Sequence, residues 1–185
     1  MNPGTWDSLR SVRKESGFRL ETERLRLRPY TVDDLDALFG ILGDPETMTY
    51  YPEPYTRAGT LRWIQDNLRR YVVDGFGLWA MDLKETGVFV GDCGPAVREV
   101  DGEREVEIGW HVDRALWNRG LATEAGTVCR DHCFGALGLE RVISLVRPEN
   151  IPSRRVAEKI GMIVERDVDW HGYRHLVYAA WRPTR

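Results

Sequence analysis

The sequence predicts a single-domain α/β fold built on a mixed sheet, and three observations carry that reading. Runs of period-two alternation and runs of helical spacing follow one another as strand, two helices, three strands, helix, strand, helix, two strands. The run RVISLVRP at residues 141–148 is almost continuously apolar, as a strand covered on both faces is, whereas EREVEIGWHV at 103–112 alternates. The 185 residues contain no internal repeat and no dividing linker, which suits one domain with a sizeable core.

Taken in order, residues 1–18 are polar and aperiodic and read as a flexible or loosely docked lead-in, leaving 19–185 as the folded domain. RLRLRP, Arg24 to Pro29, alternates and stops at proline, which predicts the first strand. Thr31 then caps a helix that carries acids in its first turn, Leu35, Leu38, Phe39 and Leu42 on one face, and Gly43 and Pro45 at its end. TRAGTLRWIQDNLRRYVVDG predicts a second helix with Leu61, Ile64, Leu68 and Tyr71/Val72 on its apolar stripe. FGLWAMDL, GVFVGDCGPAV and EREVEIGWHV read as three antiparallel strands joined by short turns at KETG and EVDGE. A helix over Leu121–Leu137 follows, then the apolar strand and a short helix, IPSRRVAEKIG, with Pro152 in its first turn and Gly161 at its end. IVERDVDW and RHLVYAAWR, around the turn HGY, close the chain.

Composition narrows the function classes. The chain is 42% hydrophobic and 30% charged, and its formal charge of −3 does not suit a nucleic-acid footprint. No apolar run approaches the ~18 residues of a membrane span, and the N-terminal stretch lacks a signal-peptide core, so a cytoplasmic protein is expected. Three cysteines, an odd number, do not suggest a disulfide framework. CRDHC places Cys129, His132 and Cys133 together, but on an otherwise apolar helix face with no further ligand in view. Core cysteines are the better account, and no metal is expected.

The chemistry concentrates where an alternating strand runs into a helix, at HVDRALWNRGLATEAG, residues 111–126. A helix start presents unpaired N–H groups and a partial positive charge, which together suit a phosphate. Gly120 lets the main chain approach a ligand closely, Ala122 adds almost no bulk, and Thr123 offers a hydroxyl. Such a junction also occurs where glycine merely turns the chain. Neither G-x-x-x-x-G-K-[ST] nor a strand-borne G-x-G-x-x-G is present.

WNRGLATEA resembles the acyl-CoA pyrophosphate loop, R/Q-x-x-G-x-G/A, of the GCN5-related N-acetyltransferases, abbreviated GNAT. With Trp117 at its start, it is most similar to the ribosomal-protein alanine acetyltransferase (RimJ/RimL-like) branch. ETERLRLRPYTVDDLDALFGILGDPETM, GFGLWAMDLKETGVFVGDCG, EVEIGWHVD and RPENIPSRRVAEKIGM resemble the same branch in the same order, so the likeness spans Leu20 to Trp181. It implies a sheet of about seven strands with about four helices. EVEIGWHV and RVISLVRP would be a parallel pair that splays into a wedge for the pantetheine arm. Acetyl-CoA would be the co-substrate, seated on Trp110, His111, Val112, Trp117, Asn118, Arg119, Gly120, Leu121, Ala122 and Thr123. Asn150 and Ser153, of N-x-x-S, would contact the pantetheine region. Arg154 or Arg155 could reach the nucleotide phosphate. Gly109 reads as a β-bulge, and the four residues from Asp113 back to Gly109 span roughly 13 Å, about the length of a pantetheine arm.

Attack on a thioester needs a neutral amine, a donor for the carbonyl oxygen and a proton for the departing thiolate. Glu105, Glu107, Gly109 and His111 share one strand face. Glu107, one pleat from the expected thioester, is the candidate base, directly or through water, and Glu105 a substrate-amine contact; both could instead be solvated strand carboxylates. The family's usual tyrosine acid, seven residues beyond Asn150, is Ala157 here, so Ser153 or a water is the candidate acid. A main-chain N–H near Gly109 or Trp110 would hold the oxyanion. Tyr50, Tyr51 and Tyr55 of YYPEPY lie where the family builds its acceptor wall. No cysteine is placed as a covalent carrier, so direct attack in a ternary complex is expected, on a protein N-terminus or a small amine. A catalytically silent acyl-CoA sensor or assembly subunit, or an enzyme for a larger acyl-CoA, is the alternative. The branch also suggests a homodimer, for which the sequence carries no interface signature.

Overall fold

A computed structural model describes residues 18–184. Eight strands form one sheet: β1 (Leu20–Glu21), β2 (Leu25–Arg28), β3 (Trp79–Leu83), β4 (Phe89–Val100), β5 (Glu103–Val112), β6 (Arg141–Val146), β7 (Ile163–Trp170) and β8 (Tyr173–Trp181). Their order is β1-β2-β3-β4-β5-β6-β8-β7, antiparallel except for β5 beside β6. Four helices accompany them: α1 (Leu35–Leu42), α2 (Arg57–Val73), α3 (Leu121–Gly135) and α4 (Ile151–Lys159). This is the single-domain α/β architecture with a mixed sheet that the sequence predicts, with a two-residue strand β1 added at the edge. The lead-in expected over residues 1–18 lies outside the described residues except for Phe18, whose ring stacks on Trp79 at 4.7 Å.

The local chemistry explains the elements. Asp101 and Gly102 both take positive φ between β4 and β5, the geometry of a tight hairpin. At the start of α1, Thr31 caps a 3-10 turn, Val32–Asp34, before the α-helix proper begins. Asp34 reaches back to the Thr31 N–H at 2.7 Å and takes a bidentate grip from Arg28 at 2.7 and 2.9 Å. The expected stripe of α2 holds at Ile64, which is buried, and at Leu68 and Tyr71, which pack against the core; Thr60 and Asn67 are buried beside them and Val72 is exposed. Asn67 accepts from the Leu78 N–H at 2.9 Å, and the Tyr71 hydroxyl donates to the Leu78 carbonyl.

The β5–β6 pair sets up everything that follows. Only one residue pair, Glu107 with Ile143, keeps parallel register before the strands part. Just beyond it, buried Ser144 donates to the Ile108 carbonyl at 2.7 Å, satisfying an acceptor that the splay would otherwise strand. Gly109 makes no bulge. The β4–β5 register runs unbroken from Gly91–Val112 to Val100–Glu103, and a β-carbon at Gly109 would meet nothing closer than Leu78 at 3.7 Å. The close approach belongs to its neighbour across the ladder, Gly94, whose β-carbon would lie 2.5 Å from the Gly77 carbonyl oxygen.

Candidate active site

The loop from β5 to α3 starts with Asp113 accepting from the Ala115 N–H at 2.8 Å and ends at Gly120 with φ 79°. Asn118 is also left-handed, with φ 60°. Gly120 gives α3 no side-chain cap, so the first N–H groups of the helix point outward, as a phosphate seat requires. The loop is braced from outside. Arg24 donates through Nη1 to the Arg119 carbonyl at 2.8 Å, and its main-chain N–H and Nε bind Glu124 at 2.8 and 2.7 Å. Burial alone would raise the Glu124 carboxyl, but hydrogen bonds from Thr22 and Arg24 outweigh it and hold it below its ordinary value.

On the other side of the wedge, Asn150 caps α4 by accepting from the Ser153 N–H at 3.1 Å, and Pro152 sits in the first turn. Between loop and helix lies a cleft of about 530 Å³. It is lined by Trp110, His111, Val112, Trp117, Asn118, Gly120, Leu121, Ala122, Thr123, Asn150, Ser153 and Arg155, and by Tyr50 and Tyr51 from the segment after α1. Glu46, Thr47, Thr49, Leu116, Pro152, Val156 and Lys159 complete the lining, and the sequence reading missed them because they touch the cleft only through the fold.

Several sequence candidates lie elsewhere. Arg119 contributes its carbonyl to Arg24 and is outside the cleft lining. Arg154 turns inward to the Pro148 carbonyl and the Tyr178 hydroxyl, both at 3.1 Å, leaving Arg155 as the helix's cleft-facing arginine. Tyr55 packs edge-on against Trp63 at 5.8 Å rather than lining the cleft. Glu105 is buried in an ion pair with Arg141, and Glu107 receives the Arg98 Nε at 2.6 Å; neither carboxylate lines the cleft. Ala157, at the position of the missing tyrosine, is fully buried in the core. Cys93, Cys129 and Cys133 are buried free thiols. Among the described residues no group of three or more His, Cys, Asp or Glu is arranged to hold a metal.

The structure adds a polar chain that periodicity does not reveal. Asp92, fully buried on β4, accepts from the Tyr30 hydroxyl at 2.7 Å and from the Trp63 indole N–H at 2.9 Å. Its other oxygen lies 2.7 Å from His111 Nδ1, and His111 Nε2 lies 2.7 Å from the Tyr51 hydroxyl. A carboxylate only accepts, so Nδ1 carries the hydrogen and Nε2 is left to accept from Tyr51. His111 is thus a cleft wall with both nitrogens engaged. Only His111 and Tyr51 carried a sequence signal; Asp92 sits directly opposite His111 in a register that only the hairpin sets.

The donors fit a coenzyme A-type ligand. Outward helix N–H groups at an uncapped glycine meet a diphosphate, and the parted strands leave main-chain edges for an extended arm.

Known proteins resemble this chain along nearly all of its described length. Residues 24–163 match the family described as Acetyltransferase (GNAT) domain. The Bacillus subtilis protein YkkB, itself uncharacterized, is 38% identical over 145 residues, covering 78% of this chain and 84% of that one. An acetyltransferase structure from Agrobacterium tumefaciens is 31% identical with a TM-score of 0.77, covering 91% of this chain and 98% of that one. The Mycobacterium smegmatis RimJ structure, in complex with CoA-disulfide, is 28% identical with a TM-score of 0.64, covering 85% and 81%.

Proposed function

This chain belongs to the GNAT acetyltransferase family, and from that premise we propose that it transfers the acetyl group of acetyl-CoA to a primary amine by direct attack in a ternary complex. One observation supports the reading above the rest. The uncapped start of α3 and the Asn150-capped start of α4 face one cleft at the point where β5 and β6 part. Arg155 and the N–H groups after Gly120 bind the phosphates, Asn150 orients the arm, and main-chain N–H groups at Gly109 or Trp110 hold the carbonyl oxygen.

Glu107 acts before attack, drawing the proton of the incoming ammonium to solvent through water, since its carboxylate is held by Arg98 outside the cleft lining. Ser153 lines the cleft, where its hydroxyl or a water is a candidate for protonating the departing sulfur. Tyr50 and Tyr51 form the acceptor wall. The acceptor is a protein N-terminus or a small amine, in keeping with the ribosomal-protein branch. The protein works in the cytoplasm as a homodimer of domains spanning residues 19–185. No helix of the described residues is long and apolar enough to cross a membrane.

The buried Ala157 favours a second reading, an acyl-CoA sensor without turnover. Acetyl-CoA consumption measured over a panel of amines and peptide N-termini separates the two. Acceptor-dependent release of free CoA is expected. Tight CoA binding with no release on any acceptor would replace the enzyme with the sensor.

A further inference from the structure

The geometry points to Tyr51, backed by His111 and Asp92, as the proton shuttle that carries the amine's proton to the departing thiolate, the task left open by Ala157. This rests on the acetyl-transfer reading of the cleft.

The chain of contacts has one open end and one sealed end. Tyr51 and His111 line the cleft, while Asp92 is fully buried and held by three donors, those of Tyr30, Trp63 and His111. Tyr51 is 40% exposed, and its hydroxyl is engaged by His111 Nε2 at 2.7 Å. Burial first, then the nearby charges of Glu107 and Asp92, pushes its phenol upward. The phenol therefore stays protonated and passes protons rather than storing charge. The proton is received by His111, whose ring the Asp92 carboxylate holds through Nδ1. The arrangement has the three-part logic of an oriented base: Asp92 fixes the tautomer, His111 accepts, and the group at the cleft exchanges protons with substrate.

The proton count closes. As the new N–C bond forms, the nitrogen turns acidic and gives its proton to the Tyr51 oxygen, while the Tyr51 proton moves to His111 Nε2. As the C–S bond breaks, the transfer reverses. His111 returns its proton to Tyr51, and Tyr51 gives one to sulfur. No proton is gained or lost by the protein, and no oxidant or further reactant is needed. The position also suits the fold: His111 is two residues along β5 from Gly109 on the same strand face, so the shuttle stands beside the expected thioester.

Tyr51→Phe, His111→Gln and the double variant test this, with kcat, the KM for acetyl-CoA, the Kd for CoA and the thermal midpoint measured for each. Each single variant should lower kcat on the order of 10²-fold, the usual contribution of a positioned acid–base group. Acetyl-CoA KM and CoA Kd should change less than about threefold, far below that contribution. Because the residues act as a unit, the double variant should be no slower than the worse single one. Tyr51→Phe removes one oxygen from a half-exposed ring, so it decides the matter even if His111→Gln fails to fold. Unchanged kcat in Tyr51→Phe, or multiplied losses in the double variant, would overturn the shuttle while wild-type turnover keeps the transfer reading intact. Absence of wild-type turnover on every acceptor would remove both.

Discussion

Arg24 and Glu124, a hundred residues apart in sequence, are joined by three contacts: main-chain N–H to Oε1 at 2.8 Å, Nε to Oε2 at 2.7 Å and Nη2 to Oε2 at 2.6 Å. Because Arg24 also holds the Arg119 carbonyl, the start of β2 sets the shape of the loop that precedes α3. It also neutralises an acid that would otherwise stand in the first turn beside the proposed phosphate seat.

Arg24→Ala should therefore weaken CoA binding roughly tenfold, the scale of one partly exposed charge-assisted contact, with little loss of fold stability. Titration calorimetry of wild type against variant reads it directly. Equal affinities would mean that the loop holds its shape unaided.

The same tie has a pH signature. The folded Glu124 carboxyl lies below its ordinary 4.5, so its stabilisation is complete above that value and is lost as pH falls through the depressed folded value. Thermal midpoints of wild type and Glu124→Gln should differ by a constant amount well above pH 4.5 and draw together progressively as the pH falls below it. A gap that widened on acidification would reverse the sign and refute the assignment.

Gly120 tests the phosphate seat itself. Its φ of 79° is costly for any other residue, and a glutamate there would add a carboxylate where negative charge is meant to bind. Gly120→Glu should reduce CoA affinity at least ~100-fold, in keeping with like charge at close range in a partly enclosed site. Retained affinity would move the diphosphate elsewhere.

Glu107→Gln separates enzyme from sensor. Loss of the carboxylate should cut kcat by ~10–100-fold at neutral pH, less for α-amines than for lysine-type amines, whose higher pKa leaves less free base. Initial rates on a peptide N-terminus and on a lysine-type amine provide the comparison. Equal rates for variant and wild type on both would remove Glu107 from the mechanism.

Order and type of the elements were legible because local periodicity decides them: every predicted strand and helix of residues 20–181 is present, most within a few residues. The cleft lining at Trp110–Val112, Trp117, Asn118 and Gly120–Thr123 was legible because one short segment builds most of it, although Arg119 within that segment lies outside it. What escaped depends on contacts between distant segments. The α2 stripe was read without Asn67, whose side chain serves the Leu78 N–H eleven residues away, so polarity there marks the inside. Glu107 looked free because nothing in its own strand announces Arg98, which arrives from the neighbouring strand. Asp92 carried no signal in the sequence, because its partners come from β2's exit, α2 and β5.

The two glycines facing each other across β4 and β5 make the sharpest contrast between sequence and structure. Gly94↔Gly109 are register partners, yet only one of them is required by space. A β-carbon on Gly94 would sit 2.5 Å from the Gly77 carbonyl oxygen and 2.8 Å from the Leu78 α-carbon, both main-chain atoms that cannot step aside. On Gly109 it would touch only the tip of Leu78 at 3.7 Å, an ordinary contact. Gly94→Ala should accordingly cost about 1–3 kcal/mol, as overpacking against backbone does, and lower the thermal midpoint by several degrees. Gly109→Ala should melt within about a degree or two of wild type, since a change without a clash falls near the ±0.5 kcal/mol of neutral substitutions. Its effect should fall on turnover instead, because the added methyl stands on the strand face shared with Glu107 and His111, where the acyl group is proposed to lie. Scanning calorimetry paired with initial rates distinguishes the two positions. A Gly109→Ala protein that melts like wild type and turns over at the wild-type rate would show that the reacting group lies elsewhere along β5.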